Sequence, residues 1–271
     1  MLRLSLLILL LASSPLQAQY HWKPSATETL EQRLPLPAGA SRSVAAKGSY
    51  AAWLRGLPLK EAGTQVLLFN GQKARRQDAA AAIVDIDIGS RDLQQCADAV
   101  IRLRAEFLFA SGQAGKASFK FTNGFPCDWK RWSQGLRPVL KGKDFVWKPQ
   151  GQADAGHDNY RRYLDFVFAY AGTQSLARDL KTVKDPASIR GGDVLVQGGS
   201  PGHAVTVIDV ARGADGKPIF LLAQSYMPAQ SLHILKNLAE PTLGAWFRFA
   251  PDGSLKTPDW DFAAADLKRF E

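Results

Sequence analysis

Two cysteines in 271 residues are too few for the disulfide framework that staples small secreted domains, and too few for a four-thiolate zinc site. Whatever they do, they act singly or as one pair. No His-Glu-x-x-His, Cys-x-x-Cys or His-x-His pattern occurs, so neither a dedicated metal site nor a cofactor is expected. The glycine-rich run Gly198-Gly199-Ser200-Pro201-Gly202 has no Gly-Lys-Ser/Thr after it, which excludes a phosphate-binding P-loop. Past the first 18 residues no apolar run is long enough to cross a bilayer. Charge of one sign is not gathered either. The net charge is +9, but Arg75-Arg76, Lys130-Arg131 and Arg161-Arg162 are isolated pairs amid acids. That reads as a solvated basic face rather than a nucleic-acid surface.

What is present begins with an address. Met1-Leu2-Arg3, the apolar run Leu4 to Ala12, Ser13-Ser14-Pro15 and then Leu16-Gln17-Ala18 have the order of a secretory signal peptide. Cleavage after Ala18 would remove one basic residue, Arg3, and leave no cysteine for lipid attachment. The expected location is therefore periplasmic or secreted, with no integral membrane segment after cleavage. There, a basic surface favours weak attraction to anionic cell-envelope polymers.

With 46% hydrophobic residues, the chain can bury a substantial core. Residues 19–48, rich in Pro, Ala, Ser and Gly, read as an extended N-terminal arm, and residues 49–271 as a single α+β domain. A short helix is expected over Tyr50 to Leu59. Val66 to Phe69, the turn Asn70-Gly71 and the alternating Ile83 to Ile88 suggest a hairpin. The longest helix is expected from about Asp92 to Ala110, with Asp92 and Gln95 as a capping box. A short strand over Ser118 to Thr122 precedes an aromatic-rich loop from Phe125 to Pro149. Helices follow at about Asn159 to Tyr170 and Ser175 to Leu180. From Asp193 onward, Val194 to Val196, Ala204 to Val210, Ile219 to Ala223, Leu232 to Leu235 and Trp246 to Phe249 read as strands between turns. Helices followed by a run of antiparallel strands imply an α+β domain.

Two residues stand out chemically. Cys96 lies in the first turns of the long helix, where the macrodipole favours a thiolate. Of the four histidines, His203 is the best-placed base, because it opens a strand directly after a glycine-rich loop. The competing use of Cys96 is structural. It falls on the apolar face of the helix, and exported cysteines usually pair, so a Cys96–Cys127 disulfide is the alternative. A disulfide has no thiolate, and the two readings exclude each other.

The segments Gly192-Asp193-Val194-Leu195-Val196 and Gly202-His203-Ala204-Val205-Thr206-Val207-Ile208-Asp209 resemble the paired strands of NlpC-like and CHAP-type papain-fold hydrolases. That resemblance implies a papain-like core in which a helix bearing Cys96 packs on an antiparallel sheet. It also implies Cys96 as nucleophile, His203 as base and Gln224, at the end of the next strand, as the group orienting the imidazole. Gln95-Cys96-Ala97-Asp98 replaces the Asp-Cys-Ser-Gly usual in that family. Over nearly the whole mature chain, Gln95-Cys96-Ala97-Asp98-Ala99, Phe121-Thr122-Asn123-Gly124-Phe125, the Gly198-to-Ala204 run and Gln224-Ser225-Tyr226-Met227-Pro228-Ala229-Gln230 resemble an exported bacterial family known only as a domain of unknown function.

The expected activity is a cell-envelope cysteine hydrolase of amide bonds, with peptidoglycan peptides as substrate and peptidoglycan or another envelope polymer as partner. Tyr226, Ser225 and Trp132 are the candidate substrate contacts, and Gln95 a candidate for shaping an oxyanion site. Asp209 is a weaker orienting candidate, sharing a face with His203 only if no bulge intervenes. The alternative function is a non-catalytic envelope-binding protein with Cys96 and Cys127 oxidised.

Overall fold

Ten consecutive residues, His203–Arg212, nine of them buried, form the central strand of the molecule. A strand buried along nearly its whole length must be covered on both faces, and the rest of the fold supplies that cover. The computed structural model describes residues 19–271; the expected signal peptide lies outside the described residues. The helices are α1 (Leu30–Arg33), α2 (Tyr50–Arg55), α3 (Cys96–Ala110), α4 (Trp129–Ser133), α5 (His157–Phe168) and α6 (Thr173–Asp179). The strands are β1 (Ser41–Arg42), β2 (Ala80–Ile83), β3 (Ser118–Lys120), β4 (Pro126–Asp128), β5 (Leu136–Lys141), β6 (Asp144–Pro149), β7 (Lys181–Thr182), β8 (Val194–Gln197), β9 (His203–Arg212), β10 (Pro218–Gln224), β11 (His233–Leu235), β12 (Ser254–Lys256), β13 (Asp261–Ala263) and β14 (Leu267–Arg269).

The main sheet runs β2-β11-β10-β9-β8-β14-β7, with every neighbouring pair antiparallel. β8 pairs with β9 only over His203 to Thr206, and β1 pairs with the other end of β9, at Ala211 and Arg212. This is an α+β fold with one large antiparallel sheet and few helices.

The register between β9 and β10 breaks between Leu221 and Leu222 of β10, where Leu221 faces Asp209 and Leu222 faces Val207. Ile208 is therefore the extra residue of a bulge, and alternation of side chains inverts beyond it. Ala204 and Ile208 pack with helix residues, whereas Val205 and Val207 join the opposite layer around Phe220, Leu222, Phe262 and Leu267. Past the bulge, Val210 belongs to the opposite layer and Ala211 to the helical one.

Helix α3 fills the layer on the first face and is buried on almost all sides. Ala99, Leu103 and Phe107 pack toward Ile208, Leu221 and Ala223 of the sheet. Val100, Ile101 and Leu108 pack toward Tyr160, Tyr163 and Leu164 of α5. Each buried Val, Leu, Ile or Phe side chain among these contributes about 1.5–3 kcal/mol relative to exposure. The one charged stripe of this helix is also inside. Arg102 Nε donates to Glu106 Oε1 at 2.7 Å, its Nη1 to Gln94 Oε1 at 2.9 Å and its Nη2 to Asp87 Oδ2 at 3.0 Å. Glu106 Oε2 meets His157 Nε2 at 2.9 Å. Burial pushes the Glu106 carboxyl up, but Arg102 and His157 outweigh it and hold it below its ordinary range. The network ties α3 to the segment that leads into Cys96.

Several expectations need correction. The long helix begins at Cys96, not Asp92: Asp98 Oδ2 accepts the Gln95 backbone N–H at 3.0 Å, while Asp92 holds the Gln95 side chain at 2.9 Å. Val66 to Phe69 turns at Asn70-Gly71 but does not pair with Ile83 to Ile88. It lies along residues 229–231, with Phe69 N bonded to Ala229 O and Ser231 N to Leu67 O, and β2 pairs with β11 instead. The expected aromatic loop from Phe125 to Pro149 holds β4, helix α4 and a hairpin of β5 and β6 in register from Leu136↔Pro149 to Lys141↔Asp144. Trp246 to Phe249 makes one bridge, Phe220↔Phe247, rather than a strand. Residues 19–48 have little regular structure but are part of the domain, since Tyr20 and Leu30 are fully buried in its core.

Candidate active site

Each of the three principal residues is positioned by a different element. Cys96 is the first residue of α3, with its backbone N–H outside the helical ladder. His203 opens β9, and the residue before it, Gly202, is packed too closely to carry a side chain. A Cβ on Gly202 would lie 2.5 Å from Thr173 Oγ1 and 2.7 Å from both Gln197 O and Gly199 N. Gln224 closes β10. Because β9 and β10 are neighbours, the last residue of one comes beside the first of the other. The result is a contact of 2.8 Å between His203 Nε2 and Gln224 Oε1.

The chemistry of that contact is settled by what surrounds Gln224. Its Nε2 donates to Asp259 Oδ2 at 2.7 Å and lies 3.4 Å from His233 Nε2. His233 Nδ1 is 2.9 Å from the Ser231 carbonyl, which only accepts, so Nδ1 carries the His233 proton and Nε2 is an acceptor. Both acceptors therefore call for the amide nitrogen of Gln224 on their side. That leaves Oε1 toward His203, whose Nε2 must donate. The proton of neutral His203 is on Nε2, and Nδ1 keeps the free lone pair.

Cys96 and His203 line one cavity of 630 Å³ together with Asp98, Gly202, Tyr226 and Trp260. The His203 ring sits 5.1 Å from that of Tyr226 and 5.6 Å from that of Trp260. The sulfur faces the backbone N–H of Ala204, the residue after His203. Among the described residues no hydrogen bond joins the sulfur directly to the imidazole. Burial pushes the Cys96 thiol above its ordinary value, and the nearby Asp98 adds to this against the backbone N–H groups of Ala204, Ala97 and Cys96. Burial likewise lowers His203, with Gln224 and Asp259 opposing. Both shifts favour a neutral thiol beside a neutral imidazole over a preformed ion pair.

Family comparison adds to this geometry. The chain belongs to the family described as Domain of unknown function (4846). The match runs over residues 30–269, which include every residue of the cavity. No curated protein and no solved structure matches the chain.

The other candidate residues separate clearly. Tyr226 lines the cavity. Ser225 does not: it is fully buried, with Oγ 2.8 Å from both Gln94 O and Gln230 O. It clamps the Gln224-to-Gln230 loop to the approach of α3 rather than offering a substrate contact. Trp132 is also buried elsewhere, under the Arg137 guanidinium at 4.0 Å and bonded through Nε1 to Asn159. Gln95 lines the cavity, but its amide is engaged by Asp92. Asp209 is held by Arg42 at 2.9 Å and Arg55 at 2.7 Å, and the bulge takes it off the His203 face.

Both cysteines are free thiols, so the expected alternative of a Cys96–Cys127 disulfide is not formed. Cys127 is in β4 opposite Phe119, fully buried among aromatic side chains.

Sequence reasoning missed Asp259, Trp260 and His233, none of which sits in a motif. It also passed over the Gly-x-Ser-x-Gly pattern spelled by Gly198 to Gly202. That pattern marks a nucleophile when the serine is on a strand-to-helix turn. Here the loop joins two strands, β8 and β9, and Ser200 is an exposed residue at the cavity rim.

Proposed function

We propose that this protein is a cysteine hydrolase of amide bonds with a papain-like core, exported to the cell envelope and acting on peptidoglycan peptides. The observation that carries the reading is the fixed tautomer of His203, which leaves the free lone pair on Nδ1 of a ring that lines the same cavity as Cys96. In the reaction, Nδ1 takes the Cys96 proton as sulfur attacks the amide carbonyl and the C–S bond forms. Gln224 holds the ring through this charge change. The backbone N–H groups at the start of α3 face the developing negative charge. Collapse breaks the C–N bond, and the imidazolium passes its proton to the leaving amine. Water, deprotonated by the same nitrogen, then cleaves the thioester and releases the acid. With thiol and imidazole both neutral at rest, proton transfer accompanies attack. The leader-like residues 1–18 and the resemblance to NlpC-like hydrolases support the envelope and the peptide substrate.

The raised thiol favours a second reading, a non-catalytic envelope-binding protein with an inert Cys96. One experiment separates them. Purified protein is incubated with peptidoglycan fragments, and new amine and acid termini are sought by mass spectrometry, while iodoacetamide labelling of Cys96 is timed near neutral pH. The hydrolase reading expects cleavage and labelling that both fall on His203→Ala. An unreactive Cys96, or labelling indifferent to His203, supports the binding protein.

A further inference from the structure

A second cavity, of 590 Å³, lies on the far side of Tyr226 and Met227, which line both spaces. These two residues thus form a wall common to both spaces, and Met227 is 66% exposed. The second cavity is cationic. Lys73, Arg75 and Arg76 line it against a single acid, Asp259. That acid is already engaged by Gln224 at 2.7 Å and Arg76 at 3.3 Å. Arg76 is further paired with Asp78 at 3.0 Å. Lys73 and Arg75 are exposed and, among the described residues, form no ion pair. Two uncommitted cations in a recess that shares Tyr226 and Met227 with the cavity of Cys96 attract an anionic group more strongly than the same charges on a flat surface.

We propose that the substrate carries a carboxylate on the side of the scissile amide that crosses Tyr226, and that Lys73 and Arg75 hold it. This rests on the hydrolase reading of Cys96. It adds the class of substrate: an acidic peptide rather than a neutral one, with its charge reaching over the Tyr226 ring. Arg75 offers a planar fork suited to a carboxylate, and Lys73 a point charge beside it.

The test uses a pair of chloroacetyl-capped dipeptides, identical except that one ends in Glu and the other in Gln amide, each alkylating Cys96 with loss of chloride. The acidic probe is expected to label Cys96 about tenfold faster at low salt, with the advantage shrinking as salt is added. In Lys73→Gln/Arg75→Gln protein the ratio should fall to about twofold or less, while the rate with the neutral probe is unchanged. Equal rates with both probes in the natural protein, or an advantage that survives the double substitution, would overturn the proposal. Failure of the neutral probe to label Cys96 in a His203-dependent way would instead sink the hydrolase reading. Equilibrium binding of the uncapped peptides to Cys96→Ser protein keeps the two apart: preference for Glu that depends on Lys73 and Arg75 supports the cationic subsite, and no preference overturns it.

Discussion

Asp259 touches neither Cys96 nor a substrate path through His203, yet it decides which nitrogen of His203 is basic. In Asp259→Ala the oxygen that accepts from Gln224 and the one that faces Arg76 are both removed, so this bias on the amide is lost. A charge-assisted hydrogen bond contributes roughly 1.5–3 kcal/mol, which at 1.4 kcal/mol per decade favours the present orientation by about 10- to 150-fold. What remains after the substitution is His233, whose 3.4 Å contact is a weak bond of roughly 0.5 kcal/mol, or about twofold. A flipped Gln224 offers its NH2 to His203 Nε2 and forces the proton onto Nδ1. Two-bond nitrogen–proton correlation spectra of the imidazole read this directly. Natural protein should show the Nε2–H tautomer almost alone, and the variant a mixture of roughly two to one. Cys96 labelling should slow by less than about twofold, since most molecules keep the useful tautomer. A dominant Nδ1–H tautomer in the natural protein, or a ratio unmoved by Asp259→Ala, refutes the reasoning.

Other outcomes follow from the same contacts. Arg102→Met leaves Glu106 buried with only His157 and should cost about 3–5 kcal/mol in urea unfolding. Burial lowers both His203 and His233, so below about pH 6.5 the unfolded chain takes up protons that the folded one refuses. Stability is fully present above that pH and lost as pH falls, and His233→Gln should flatten the decline in a pH series of unfolding midpoints. Burial raises both thiols, but Cys96 lines the cavity while Cys127 is fully buried. Native alkylation followed by peptide mapping should therefore mark Cys96 and spare Cys127, faster as pH rises past about 8.5. Gly202→Ala must push Thr173 and the β8–β9 loop aside, with an expected loss of about 1–3 kcal/mol in thermal unfolding and a displaced His203.

The parts of the fold legible in the sequence are those whose signal is local. Helix α3 announces itself by apolar spacing, and β9 and β10 by runs rich in apolar residues between glycine or proline turns. His203 and Gln224 are legible for the same reason, since each stands at the end of such a run. The hairpin expected over residues 66–88 failed because alternation identifies a strand but not its partner. β2 finds β11, some 150 residues later, and the Val66 segment finds residues 229–231. Residues 136–149 were read as loop because their hairpin is half-exposed and has no two-sided apolar pattern. Asp259 stands 35 residues after Gln224, in a Pro-Asp-Trp stretch that carries no periodicity. Only tertiary structure brings it to the amide.

The position of β14 also bears on how the molecule is made. This strand is the last in sequence among the described ones, yet it is internal, seated between β8 and β7. Until residues 267–269 dock, Val194 to Val196 form an open edge with apolar side chains on both faces, the kind of edge that recruits foreign strands. A chain emerging from its N-terminus carries that edge from the synthesis of β8 until residues 267–269 are made, so the sheet closes late and through contacts distant in sequence, the slow regime of folding. Assembly of this protein is thus a race between its own final strand and any other that arrives first.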